Sequence, residues 1–303
     1  MTNTNENPLD ITLDSIGKVG GIIIGIDIGS TTAKLAVFEG GKLIYQRYER
    51  HFSQVRQKTL EMIKAIEPLL DGKQIRVAIA GSAGMGMANA ANLPFVQEVF
   101  ATGETVKALA PETSTVIELG GEDAKVIFLK GGTDERMNGS CAGGTGAFID
   151  QMATLLDVTN EEMDKLSLEH KRIFPIASRC GVFAKTDIQP LLNQGAAKSD
   201  IAASIYQAVV NQTIAGLAQG RKIEGNVMFL GGPLHYCMGL RERFVKTLKL
   251  ADDEANFPDY ALYAVSIGAA LIAAKQTESY SYDELISRLE NAVSTGSSTT
   301  ILN

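Results

Sequence analysis

Ile26-Asp27-Ile28-Gly29-Ser30-Thr31-Thr32-Ala33-Lys34 returns 91 residues later as Ile117-Glu118-Leu119-Gly120-Gly121-Glu122-Asp123-Ala124-Lys125, and Gly40-Gly41 returns in the same register as Gly131-Gly132. Each copy reads as an apolar strand carrying an acid, a small-residue turn, and a second strand that starts at Ala-Lys and ends at a Gly-Gly hairpin. One supersecondary unit is used twice. Two such hairpins facing each other across a cleft would each offer turn amides to an anion and a carboxylate to a hydrated cation, which fits a polyphosphate with Mg²⁺. Either hairpin alone reads as an ordinary Gly-containing turn of an α/β protein. The shared register of acid, Gly, Ala-Lys and Gly-Gly favours the paired reading.

Outward from the first hairpin, the pattern alternates. The continuous apolar run of residues 22–28 suggests a strand buried on both faces. A helical pattern follows over residues 54–70 and a short strand over 77–80, predicting α/β layers. The second hairpin, residues 115–129, opens a second domain. After it come Gly143-Gly144-Thr145-Gly146 and a helix over 147–156 with Phe148, Met152 and Leu155 on one face. Helices are expected over 187–193 and 201–219. A strand over 227–230 runs into Gly231-Gly232-Pro233 and a helix to residue 248, and a small-residue helix covers 268–274. The expected division is a flexible polar arm (1–20), a first domain (21–112) completed by the helix near 265–276, a second domain (113–264), and a polar tail (277–303), disordered from Val293.

The chain has 303 residues, enough for two domains of ordinary size, and its 45% hydrophobic content is that of a globular protein. Asp and Glu total 35 against 28 Lys and Arg, a net charge of -7, and no basic block would draw the chain to nucleic acid or an anionic membrane. No apolar run approaches a membrane span, and the start, MTNTNENPLDITLDS, has neither a basic nor an apolar leader region. A cytoplasmic protein is expected. Three cysteines, with no close pair, argue against a disulfide scaffold.

Four glycine turns form the candidate nucleotide site. In Gly29-Ser30-Thr31-Thr32 the glycine permits close backbone approach, the hydroxyls and N–H groups can donate to phosphate oxygens, and Lys34 adds a point charge. Asp27, ending a buried strand, is costly to leave unpaired; water-held Mg²⁺ resolves that cost, and a turn-capping carboxylate is the plainer alternative. The repeated acid, Glu118, favours the metal. Its turn, Gly120-Gly121-Glu122-Asp123 with Lys125, supplies the second set of candidate ligands, and Asp27, Glu118 and Asp123 are the candidate catalytic carboxylates. Gly143-Gly144-Thr145-Gly146 precedes a helix, where free N–H groups and the dipole favour phosphate. Gly231-Gly232-Pro233 could lie flat against a base or ribose. Neither hairpin matches the P-loop or dinucleotide fingerprints.

Cys141 lies in Asn138-Gly139-Ser140-Cys141-Ala142-Gly143 and Cys180 in Ala177-Ser178-Arg179-Cys180-Gly181-Val182. A lone cysteine is usually a small buried hydrophobe. Both of these, however, precede a helix among small residues, where a thiolate is favoured. A four-thiolate centre needs four ligands, and a two-fold dimer of chains offering two each would complete it. Cys237 reads as helix packing.

GIDIGSTTAKLAVF, ELGGEDAKVIFL, NGSCAGGTGAFIDQMA, ASRCGVFAKTDI and FLGGP occur in that order. Over residues 22–274 the chain resembles the ATP-dependent activators of 2-hydroxyacyl-CoA dehydratases and the related benzoyl-CoA reductase ATPase subunits. The last four motifs most resemble the activator module that opens very long, multi-domain members, so a piece of a longer polypeptide is among the expectations. The resemblance implies the α/β actin-like ATPase fold of acetate and sugar kinases and heat-shock chaperones, with two RNase H-like domains around a nucleotide cleft. It implies ATP and ADP with Mg²⁺, and a homodimer holding one [4Fe-4S] cluster on Cys141 and Cys180 of each subunit. It implies reduction by an external donor such as ferredoxin or flavodoxin, and an ATP-driven, low-potential electron passed to a dehydratase or reductase partner. Glu118 stands where Asp is common in the wider superfamily. Two other functions use the same fold: a sugar or carboxylate kinase, for which Asp150 and Asp187 are the candidate bases, and a nucleotide-gated binding module without redox chemistry. Neither needs both thiols.

Overall fold

The apolar run Ile22–Ile28 forms β1, and every one of its residues is buried. The computed structural model describes residues 8–138, 143–177 and 181–296. They fall into two units, one drawn from Met1–Pro111 and Leu262–Asn303, the other from Glu112–Ala261.

In the first unit β1 is followed by β2 (Thr32–Glu39), β3 (Lys42–Arg50), β4 (Ile75–Ala80) and β5 (Phe95–Val96), in the sheet order β3-β2-β1-β4-β5. β1 runs antiparallel to β2 and parallel to β4. Successive residues of a strand point to opposite faces. Ile22, Ile24, Ile26 and Ile28 enter a core with Leu60, Ile63 and Leu70. The opposite face takes the helix Ala264–Ala273, and Gly25 is what admits it: a Cβ there would lie 1.8 Å from Ser266 O.

The second unit repeats the plan. β6 (Thr115–Leu119), β7 (Ala124–Phe128), β8 (Asp134–Met137), β9 (Val227–Leu230) and β10 (Ala255–Asn256) lie in the order β10-β9-β6-β7-β8. Read from its other edge, this is again third, second, first, fourth, fifth. β6 is antiparallel to β7 and parallel to β9. The helix Gly146–Leu155 buries Phe148, Ile149, Met152 and Ala153 against Ile117, Val126 and Phe128.

Three expectations change. Residues 8–20 are not a free arm: Ile11, Leu13 and Ile16 are buried, Leu13 N–H donates to Gly41 O at 2.8 Å, and Leu43 N–H to Ile11 O at 2.9 Å. The expected polar tail contains the helix Tyr282–Gly296, with Leu285, Leu289 and Ala292 in the first unit's core. With Tyr282, Ile286 and Val293 packed beside them they make one apolar stripe at helical spacing, which the polar average composition concealed. The helix expected to follow Gly231-Gly232-Pro233 as far as residue 248 is broken into Gly232–Tyr236 and Met238–Leu248. The break is held by Asp164, whose carboxylate accepts from Met238 N–H at 3.0 Å and Gly239 N–H at 2.9 Å. Among the described residues no helix is long and apolar enough to cross a membrane.

Candidate functional site

The two repeated turns close in the same way. Gly29 N–H donates to Thr32 O at 2.9 Å, and at the corresponding positions Gly120 N–H donates to Asp123 O at 2.8 Å. Each turn caps the C-terminal end of its unit's central strand, beside the end of the parallel neighbour. There the chain bends through a glycine in each unit: Gly81 after β4, with φ 99, and Gly231 after β9, with φ 91. A Cβ at Gly81 would lie 2.2 Å from Ile28 O, and one at Gly231 would lie 2.0 Å from Leu119 O. Ile28 and Leu119 are themselves equivalent, so the repeat extends to this second bend. Sequence reading named Gly231 and missed Gly81, because Gly81-Ser82 lacks the Gly-Gly-Pro run that draws attention to its counterpart.

In the first turn Asp27 and Lys34 are cross-strand partners, with Lys34 Nζ 2.9 Å from Asp27 Oδ2. Asp27 is only 5% exposed. The expectation gave its burial cost to water-held Mg²⁺ and gave Lys34 to phosphate; in this structure the two side chains meet that cost together. Glu118 and Lys125 are paired identically in β6 and β7, at 4.0 Å, while Lys125 Nζ lies 2.9 Å from Asp123 Oδ2. Oxygen-only carboxylates at matched positions remain a donor set suited to a hard cation such as Mg²⁺.

In the second unit the structure gathers three of the glycine segments. Gly146 N–H donates to Gly120 O at 3.0 Å and Ala147 N–H to Gly121 O at 2.8 Å. A Cβ built on Gly146 would lie 3.4 Å from Gly121 Cα and 3.5 Å from Pro233 Cγ. Gly143, Gly144, Thr145 and Gly146 were expected to present free helix N–H groups to phosphate. The amides of Gly146 and Ala147 are instead spent on the Gly120-Gly121 turn, so the cluster braces that turn. Gly144, at φ 86, packs against Gln212. Gly232 and Pro233 open the helix Gly232–Tyr236, and burial, then the Arg241 charge, push the His235 pKa down.

The helix Gly181–Asn193 carries Asp187, whose carboxylate accepts from Ala177 N–H at 2.8 Å, and Asp150 accepts from Asn160 Nδ2. Both candidate kinase bases are exposed and tied into local bonds. Cys141 and Cys180 lie outside the described residues. Cys237 is buried and free. Among the described residues no three His, Cys, Asp or Glu side chains gather as a metal site.

One further residue shapes the first turn. His51, 3% exposed, places Nε2 2.9 Å from Gly29 O. No motif marks it, since 22 residues separate it from the turn.

The chain belongs to the BadF/BadG/BcrA/BcrD ATPase family, whose model matches residues 24–273. It is 30% identical, over 84% of its own length and 97% of the relative's, to the (R)-2-hydroxyglutaryl-CoA dehydratase activating ATPase of Acidaminococcus fermentans. Its structure matches the activator of the 2-hydroxyisocaproyl-CoA dehydratase from Clostridium difficile with bound ADPNP, with a TM-score of 0.72 and 25% identity over 93% of this chain and 99% of that one. A ROK family glucokinase from Streptomyces griseus matches with a TM-score of 0.52 at 13% identity, covering 84% of this chain and 100% of that one, a likeness of fold alone. The fold is the actin-like ATPase fold, as the sequence resemblance implied.

Proposed function

We propose that this chain is an ATPase that binds ATP and ADP with Mg²⁺ and drives a low-potential electron into a 2-hydroxyacyl-CoA dehydratase or related reductase. The observation that carries the nucleotide half is the matched pair of turns, Gly29–Thr32 and Gly120–Asp123, each closed by the same Gly N–H bond and each beside a carboxylate–lysine pair. Turn amides at the ends of central strands suit polyphosphate, and Asp27 and Glu118, with Asp123 near the latter, are the groups to hold hydrated Mg²⁺ and orient water. Gly231, Gly232 and Pro233 are assigned to the base or ribose. The dehydratase activators among the relatives supply the partner class.

The redox half rests on Cys141 and Cys180. Two copies of the chain would offer four thiolates, the number a [4Fe-4S] cluster requires, and such a cluster supplies a one-electron donor. A ferredoxin or flavodoxin would deliver that electron and the partner would accept it, leaving the cluster unchanged over a cycle. ATP binding and hydrolysis would set when transfer occurs.

Calorimetric titration should show saturable Mg·ADP binding that Asp27→Ala weakens; binding of GDP or NAD with none of adenosine nucleotides overturns the nucleotide assignment. Anaerobic reconstitution should give about four irons per dimer, lost in Cys141→Ser and in Cys180→Ser while ADP binding survives. A full-length wild-type protein that stays colourless and monomeric overturns the redox assignment. Phosphorylation of a sugar or carboxylate with a many-fold rise in ADP release would replace both with a kinase.

A further inference from the structure

Gly29 and Gly120 occupy the same position in the two repeats, and in each the carbonyl oxygen is held by a single N–H group at nearly the same distance. In the second repeat the donor is backbone, Gly146 N–H at 3.0 Å. In the first it is a side chain, the imidazole of His51, with Nε2 2.9 Å from Gly29 O. Ser53 N–H donates to the other ring nitrogen, Nδ1, at 3.1 Å. Nδ1 is therefore the acceptor, and Nε2 carries the proton that reaches Gly29. Both ring nitrogens are engaged inside the protein, so the imidazole acts through the turn and not on a reactant.

The local chain is bent to make this arrangement. Phe52 and Ser53 both take left-handed backbone, with φ 47 and 64, a conformation that residues with side chains adopt only at a cost. That bend aims the Ser53 amide back at the ring. The backbone N–H of His51 also donates to Thr31 O at 3.2 Å, so the same residue grips two peptide planes of the turn.

A trans peptide is planar, and its N–H points opposite to its C=O. The carbonyl of Gly29 and the amide of Ser30 belong to one such plane. Holding Gly29 O against the buried imidazole therefore turns the Ser30 N–H to the opposite side of the turn, and Gly29, Ser30 and Thr31 are all partly exposed. We propose that His51 is the positioning residue of the nucleotide-binding turn: by fixing the Gly29–Ser30 peptide it presets the direction in which the Ser30 amide meets a phosphate oxygen. In the second repeat backbone does this work; in the first it depends on one side chain. The inference rests on the nucleotide reading above.

The test compares three variants by Mg·ADP titration and thermal melting. His51→Gln keeps an N–H donor at the reach of Nε2 and loses the Ser53 contact. His51→Asn keeps an acceptor near Nδ1 and is too short to reach Gly29. His51→Ala loses both. Wild type should bind Mg·ADP, His51→Gln within about threefold of it, and His51→Asn and His51→Ala about tenfold more weakly, the scale of one lost hydrogen bond. Gln and Asn variants of matched melting temperature should thus differ in affinity, a split that a merely structural role would not produce. Should the Ala variant fail to fold, the Gln and Asn pair decides. Equal affinity in those two, or Asn binding like wild type, overturns the inference alone. Wild type that binds no Mg·ADP overturns the nucleotide reading and this inference with it.

Discussion

Asp27 and Lys34 face each other as cross-strand partners in β1 and β2, with Lys34 Nζ 2.9 Å from Asp27 Oδ2. Glu118 and Lys125 hold the same places in β6 and β7. An acid that ends a buried strand needs a counter-charge, and the hairpin register supplies one directly opposite.

Removing only the cation should therefore be costly. Lys34→Ala leaves the Asp27 carboxylate buried without its partner, and urea unfolding should show a loss of about 3 kcal/mol. The double change Asp27→Asn with Lys34→Met should recover most of it, because no buried charge remains. A double variant no more stable than Lys34→Ala would count against the pair as the source of the cost.

The two strand-end bends should tolerate nothing larger than glycine. Gly231→Ala places a Cβ 2.0 Å from Leu119 O at φ 91, so the backbone must move. Gly131→Ala, at φ 81 with no atom within 4 Å, meets only the left-handed penalty of about 1 kcal/mol. Thermal melting should show a small loss for Gly131→Ala and a much larger one, or no folded protein, for Gly231→Ala and Gly81→Ala.

The helix Tyr282–Gly296 should behave as part of the first unit's core. Leu289→Asp, at a fully buried position, should cost several kcal/mol, about the scale of losing a buried leucine plus burying a charge. Deleting residues 282–303 should also lower the melting temperature and expose the sites around Leu60 and Ile63 to protease. An unchanged melting curve would show that the helix adds nothing.

Cys237 should be inert in the folded protein. Burial pushes its thiol from 9.0 to about 11, tempered by the Tyr206 hydroxyl beside it. A raised folded pKa favours the neutral thiol, so its contribution to stability is full below pH 9 and is lost as pH rises through about 11. At pH 8, peptide mapping after iodoacetamide treatment should find Cys237 unmodified in native protein and modified after unfolding. Cys237→Ala should flatten the fall of stability between those two pH values.

Both hairpins and the repeat were legible in the sequence because their signals are local: apolar strand runs, an acid before glycine, and paired glycines at the turn. The helix Gly146–Leu155 was legible for the same reason, with Phe148 and Met152 spaced for one face. The helix Tyr282–Gly296 was not, because Tyr282, Leu285, Ile286, Leu289, Ala292 and Val293 are diluted among polar residues, and the average composition of the segment conceals their helical spacing. The Gly143-Gly144-Thr145-Gly146 cluster was assigned to phosphate because a helix N-terminus looks open from sequence; that Gly120 and Gly121 carbonyls fill the amides of Gly146 and Ala147 depends on another turn 26 residues back.

The sequence by itself determined the duplicated strand–turn–strand unit and the α/β class, since periodicity and glycine placement are properties of the chain read along its length, and the resemblance of its ordered motifs implied the actin-like fold. Only the tertiary structure decided that Lys34 answers Asp27, that Gly81 matches Gly231, that Gly146 braces Gly120 and that His51 holds Gly29. Three of these join residues within one unit that strand pairing and the folding of neighbouring segments bring together, and the fourth matches equivalent bends at the ends of β4 and β9. Such contacts follow from backbone geometry in three dimensions, and no spacing along the chain encodes them.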